Sequence, residues 1–255
     1  MTALEHVLER SVLIRARRET VFRYFTDSER FAAWWGAGST IDPRPGGALR
    51  IRYPSGVLAS GEVVEVVPPD RVVFTYGCED AAKPIRPGGS RVVVTLEERA
   101  EGTLVQLRHE LPDAATRDEH VQGWRYQLAV FANVVTRELG GGLTAAVDAF
   151  LAAWSERDAT RRRTALAAIA TDGITFGDAF SCTAGLDDLV AHLTAAQTHM
   201  PGMVLERSGE VRHCQGTAVA DWVAKGPDGA PRGRGTNVFD LAPDGRIARV
   251  VGLWS

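Results

Sequence analysis

The chain has 255 residues, of which 45% are hydrophobic and 24% charged, and its net charge is -3. That is the composition of a folded globular protein, and the charge excludes the broad basic surface that nucleic-acid binding uses. No apolar run reaches the roughly 20 residues of a membrane span, and the N-terminal MTALEHVLERSV lacks the apolar stretch of a signal peptide.

In chain order, the alternating segment LERSVLIRA predicts a strand. Helical spacing follows in RRETVFRYFTDSERFAAWW, where Asp27 and Ser28 can cap a second short helix. Adjacent Trp34 and Trp35 cannot share one face of an element, so one is expected in the core and the other at a rim, with Gly36 and Gly38 bending the loop around it. Five strand-like runs come next: ALRIRY, SGEVVEVV, RVVFTY, SRVVVTLEE and TLVQLRHEL, separated by turn-formers such as Pro45-Gly46-Gly47 and Pro68-Pro69-Asp70. Short turns between consecutive strands predict an antiparallel meander. A long helix is predicted over 114–139, with Val121, Trp124, Leu128, Phe131 and Val135 forming one apolar stripe. A curved sheet gripped by this helix leaves an apolar cavity between them.

Gly140-Gly141-Gly142 is read as a linker, which gives two domains, 1–139 and 143–255. The second half reverses the order of elements. LTAAVDAFLAAWSERD and ATRRRTALAAIA predict helices, and Arg161-Arg162-Arg163 is expected on a solvated face. GITFGDAF predicts a strand and GLDDLVAHLTAAQTHM a helix. MVLERSGEVRH, TAVADWVAK, RGRGTNVFDL and RIARVVGLW predict a closing set of strands with turns at Gly226-Pro227-Asp228-Gly229 and Pro243-Asp244-Gly245. The fold class expected is α+β twice over: a helix-grip antiparallel sheet, then a cone of three helices packed into a second curved antiparallel sheet.

His109 alternates with Val105 and Leu107, so it points into the first cavity, either as a hydrogen-bonded core histidine or as a ligand-orienting one. Trp34, Trp35, Phe74, Leu107, His109, Trp124 and Leu128 are the expected ligand-facing residues there. Aromatic walls with few polar groups suit a flat, apolar ligand. In the second half Asp178 follows the apolar ITFG, and Trp222 is cheaper to turn inward than its neighbour Asp221. His192 and His199 lie about 10 Å apart along a helix, too far for one metal ion. Cys78, Cys182 and Cys214 are odd in number and widely spaced. No metal site, cofactor-binding glycine motif or disulfide framework is therefore expected, and a reducing cytoplasm is the expected location.

The first half resembles the SRPBCC, or START-like, superfamily and within it the heat-shock ATPase activator-like group. The residues that carry the resemblance are VFRYFTDSERFAAWWG, PGGALRI, SGEVVEVVPPDRVVFTY, GTLVQLRHE and Gly123-Trp124. It implies a hydrophobic small-molecule ligand held between helix and sheet, in some members with polyketide cyclase activity. The second half resembles a SnoaL-like domain of the nuclear transport factor two-like superfamily, on AFLAAWSERD, ITFGDAFSCTAGLDDLVAHL and NVFDLAPDGRIARVVGLW. That resemblance implies cyclase-, isomerase- or hydrolase-like chemistry with Asp178 as general base, and a homodimer formed through the second domain. It places the oxyanion donors of the isomerases at Phe150 and Asn237, where phenylalanine cannot donate and asparagine donates only as a neutral amide. Loss of one such donor costs about 3 kcal/mol of transition-state stabilisation, which disfavours steroid-type isomerisation. Phe150, His199, Trp222 and Asn237 are the further expected ligand-facing residues. The expectation is thus a protein that binds an aromatic or polyketide-like molecule, with or without transforming it, or else a non-catalytic interaction or stress-related protein.

Overall fold

The computed structural model describes residues 4–255. The chain divides between Val135 and Thr136 into two compact units.

The first unit opens with β1 (His6–Ile14), α1 (Arg18–Arg23) and α2 (Ser28–Trp35). Asp27 caps α2 by accepting from the Arg30 backbone N–H at 2.9 Å. Gly36 ends it at φ 139°, where an added Cβ would stand 2.2 Å from the Arg52 carbonyl oxygen. Only glycine fits both demands. Six strands follow: β2 (Thr40–Ile41), β3 (Ala48–Arg52), β4 (Leu58–Val67), β5 (Arg71–Cys78), β6 (Ser90–Arg99) and β7 (Gly102–Leu111). They join β1 in a seven-stranded sheet of order β1-β7-β6-β5-β4-β3-β2. Every pairing in it is antiparallel. In β7 the alternation predicted from the sequence holds: Thr103, Val105, Leu107, His109 and Leu111 are buried on one face, and Gln106 and Arg108 lie on the other.

The helix α3 (Ala114–Leu139) begins at Asp113, whose carboxylate accepts from the Thr116 backbone N–H at 2.8 Å. Trp124, Leu128, Phe131 and Val135 are buried along it. Phe131 meets Tyr24, Phe25 and Trp34 with ring centroids 4.6 to 5.8 Å apart, so the long helix is anchored by aromatic packing against α2 and the turn that precedes it.

The second unit contains α4 (Leu143–Ala153), α5 (Ala159–Ile169), β8 (Ala170–Gly177), β9 (Cys182–Ala184), α6 (Leu186–His199), β10 (Val204–Cys214), β11 (Thr217–Lys225), β12 (Pro231–Leu241) and β13 (Ile247–Trp254). The sheet order is β10-β11-β12-β13-β8-β9. Its pairings are antiparallel except β8 with β13, which run parallel. Phe150, Phe176 and Phe239 centre the core, with Phe150 edge-on to Phe239 at 5.5 Å. Gly235 lets Trp222 lie against β12, since an added Cβ there would come within 2.6 Å of the indole.

Two expectations change. Residues 140–142, read as a linker, form a turn of 3-10 helix. Arg162 is not on a solvated face but fully buried. Its guanidinium donates to the Ala153 carbonyl at 3.1 Å, to Thr194 Oγ1 at 2.6 Å and to the Glu156 carbonyl. The rigid five-donor fork of arginine satisfies the carbonyls left over at the end of α4 and ties them to α6. The partial negative charge of a helix C-terminus offsets the buried cation. A run of like charges hides such a role, because only the helix phase decides which member turns inward.

Candidate functional site

A cavity of about 400 Å³ lies in the first unit between α2, the turn after β3, β5 and α3. Trp34, Trp35, Tyr76, Trp124 and Gln127 form its buried wall, while Tyr126, 69% exposed, stands at its mouth. Both tryptophans of the adjacent pair are buried and both line it, so the division into one core and one rim residue does not hold. They pack against each other tilted by 36°, with centroids 4.4 Å apart. Trp34 leans on Phe25 and Phe131, and its indole donates to the Tyr24 carbonyl at 3.3 Å. Trp35 turns towards Tyr53 and Trp124, and its Nε1 is buried without a hydrogen-bond partner. They are the last two residues of α2, and Gly36 turns the chain away directly after them, so no further helical turn covers either ring. Gln127 donates to the Trp34 carbonyl, closing the seam between α2 and α3.

Of the other expected residues, Trp124 lines the cavity, whereas Phe74, Leu107, His109 and Leu128 lie in the packed layer beside it. His109 is fully buried with every polar atom used. The Trp124 indole N–H donates to its Nδ1 at 3.0 Å, which assigns the ring proton to Nε2. Nε2 therefore donates to Ser90 Oγ at 2.8 Å, and Ser90 donates to the Tyr76 carbonyl at 2.8 Å. Burial, reinforced by the neighbouring His120, lowers the His109 pKa to about 3. This is a neutral histidine that orients Trp124.

The sequence reading did not single out Tyr53, Tyr76 or His120. The Tyr53 and Tyr76 hydroxyls meet at 2.9 Å. Burial pushes the Tyr53 phenol up to about 12 and the Tyr76 phenol further still. His120 Nδ1 donates to the Thr116 carbonyl at 2.8 Å, leaving Nε2 as its free ring nitrogen. No lysine, arginine, aspartate or glutamate lines this cavity. One tyrosine just after β3 and another within β5 carry no sequence signal of pairing; only strand order brings them together.

The second unit is filled where an open hollow was expected. Trp154, Phe176, Trp222, Met200 and Met203 leave a void of about 20 Å³, room for about one water. Phe150 is core, Asn237 accepts from the Trp222 indole at 3.0 Å, and His199 is exposed at the end of α6. Asp178 sits beside this void at a turn. Oδ1 accepts from the backbone N–H groups of Phe180 and Ser181 and from Ser181 Oγ at 2.8 to 2.9 Å, and Oδ2 accepts from the Trp254 indole at 3.1 Å. Partial burial pushes its carboxyl up, but the hydrogen bonds outweigh burial and hold it below the ordinary value. The donors that close the turn stabilise the charged form. An open groove of about 680 Å³ runs past Asp178, Cys182 and Trp254.

Among the described residues no cluster of side chains suits a metal ion, and no helix is long and apolar enough to cross a membrane. The sequence model of the family described as activator of Hsp90 ATPase homolog 1-like protein matches residues 15–136. An AHSA1-like protein from Rhizobium etli is 30% identical, with 51% of this chain and 81% of that chain covered and a TM-score of 0.42. A putative isomerase of the SnoaL-like family from Agrobacterium tumefaciens is 28% identical, with 44% of this chain and 96% of that chain covered and a TM-score of 0.43. No curated protein matches the chain.

Proposed function

The chain belongs, through its first half, to the activator of Hsp90 ATPase homolog 1-like family, and from that premise and the cavity we propose that the first domain binds a flat, apolar small molecule. One observation carries the reading: a cavity of about 400 Å³ walled by indoles and phenols and lined by no lysine, arginine, aspartate or glutamate. Its size lies in the range of small-molecule sites, and aromatic walls desolvate a flat ligand with little loss of side-chain freedom.

Gly123 supports the same reading. It lies within α3, where glycine costs about 1 kcal/mol relative to alanine. An added Cβ there would meet nothing within 4 Å, so packing does not require the glycine. It keeps the mouth of the cavity clear.

The test is a calorimetric titration of the full chain with naphthalene-type probes. Saturable binding is expected, and Gly123→Leu should abolish it while leaving the fold intact. Absence of saturable binding for every probe would overturn the reading. No chemistry is placed at Asp178, whose oxygens already serve a turn.

A second reading concerns the second domain, which exposes Phe180 (79%) beside Trp254 (42%) at the end of its sheet. Phe180 and Trp254 pack edge-on at 5.6 Å. Such a patch favours self-association through this domain. Sedimentation should then show a dimer that Phe180→Asp converts to monomer; a wild-type monomer at high concentration would rule it out.

A further inference from the structure

The main cavity has a neighbour. A second space of about 290 Å³ shares Tyr53, Ser55, Tyr76 and His120 with it and extends past Cys78 to Lys83 and Glu119. The paired tyrosines therefore stand at the wall common to two chambers. One chamber is aromatic, and the other carries one exposed cation and one exposed anion, which together select for neither charge.

Two hydroxyls that share one hydrogen bond hold two protons and use one between them. The Cys78 thiol beside the Tyr76 hydroxyl is at most a weak acceptor. One O–H of the pair is left to donate at the dividing wall. The Trp35 indole N–H, also on the cavity wall, is a second donor without an acceptor. The aromatic wall thus offers these neutral donors, with His120 Nε2 as a ring acceptor beside them, and no lysine, arginine, aspartate or glutamate. An anion entering it would give up its hydration for neutral donors alone, a large cost, whereas an uncharged oxygen gives up little.

We propose that the ligand of the first domain is an uncharged aromatic compound carrying one hydrogen-bond-accepting oxygen, which the Tyr53–Tyr76 hydroxyl pair reads at the wall between the two chambers. The proposal rests on the binding reading above and adds the chemistry that selects the ligand. The phenols suit the task because an ordinary phenol is already protonated at neutral pH, and burial pushes both of these further up.

The experiment compares three probes of one size by calorimetry on the full chain. They are 2-acetylnaphthalene, its oxygen-free isostere 2-isopropenylnaphthalene, and 2-naphthoate. The ketone is expected to bind about three- to tenfold more tightly than the isostere, the worth of one neutral hydrogen bond, and the anion more weakly than either. Tyr53→Phe or Tyr76→Phe alone leaves one hydroxyl and should keep part of the preference. The double variant should bring the ketone down to the isostere and leave the isostere within about twofold of wild type, with circular dichroism reporting the fold. Equal binding of ketone and isostere to the wild-type chain would overturn the proposal and leave the binding reading standing. Tightest binding of the naphthoate would overturn the uncharged ligand. Failure of all three to bind would overturn the binding reading and this proposal with it.

Discussion

His109 and Asp178 are ionisable groups whose surroundings favour opposite charge states. His109 is held neutral, its pKa lowered to about 3 chiefly by burial. The unfolded chain protonates the same ring near 6.5, so it binds more protons than the folded chain between these values. The contribution of His109 to stability is therefore full above about pH 6.5 and is lost as pH falls towards about 3. Urea unfolding between pH 7 and pH 4.5 should show a steeper loss for wild type than for His109→Gln; identical slopes would sink the assignment. Asp178 is held charged, and NMR titration should place its carboxyl below the ordinary aspartate value. A value above it would restore the general-base reading. Asp178→Asn can keep the turn through its one amide oxygen but loses the acceptor for the Trp254 indole. A destabilisation of about 1 kcal/mol is expected from that single lost bond.

Two helices carry residues whose roles differ from what their neighbours suggest. In α5, Arg161→Ala and Arg163→Ala remove exposed ion pairs with Glu156 and Asp187 and should each change stability by about 0.5 kcal/mol or less. Arg162→Ala removes a buried fork and strands the Ala153 carbonyl, so about 3 kcal/mol is expected. Denaturant unfolding of the three variants side by side checks the contrast. In α3, Gly123→Leu should raise stability by about 0.5 to 1 kcal/mol, because leucine is the better helix former and its Cβ meets no neighbour. The same change should close the cavity. Stability and binding moving in opposite directions is the signature of a glycine kept for access rather than for folding.

For the whole molecule, we expect residues 1–139 and 143–255 to fold separately, since each half has its own sheet and its own buried aromatic core. Soluble expression of each fragment with a cooperative unfolding transition checks this. A second fragment that begins at 136 should be the more stable, because Thr136 is already part of the second compact unit. Sequence by itself determined the elements. The apolar stripe of α3, the alternation in β7, the Asp27 cap and the glycine and proline breaks are local signals, and residues a few positions apart enforce them. Short β2 and β9 escaped because a strand of two or three residues has no period to read. The parallel pairing of β8 with β13 was equally invisible, since strand direction is set by the chain path between strands. Tertiary structure alone decided the site. Whether a sheet and its helices enclose a cavity depends on the summed volumes of side chains from many elements, and Trp154, Phe176 and Trp222 fill the second domain where an open cone was expected. The Tyr53–Tyr76 pair, the orphaned Trp35 indole and the inward turn of Arg162 likewise depend on which distant groups strand order and helix phase bring within about 3 Å, a distance that no local pattern encodes.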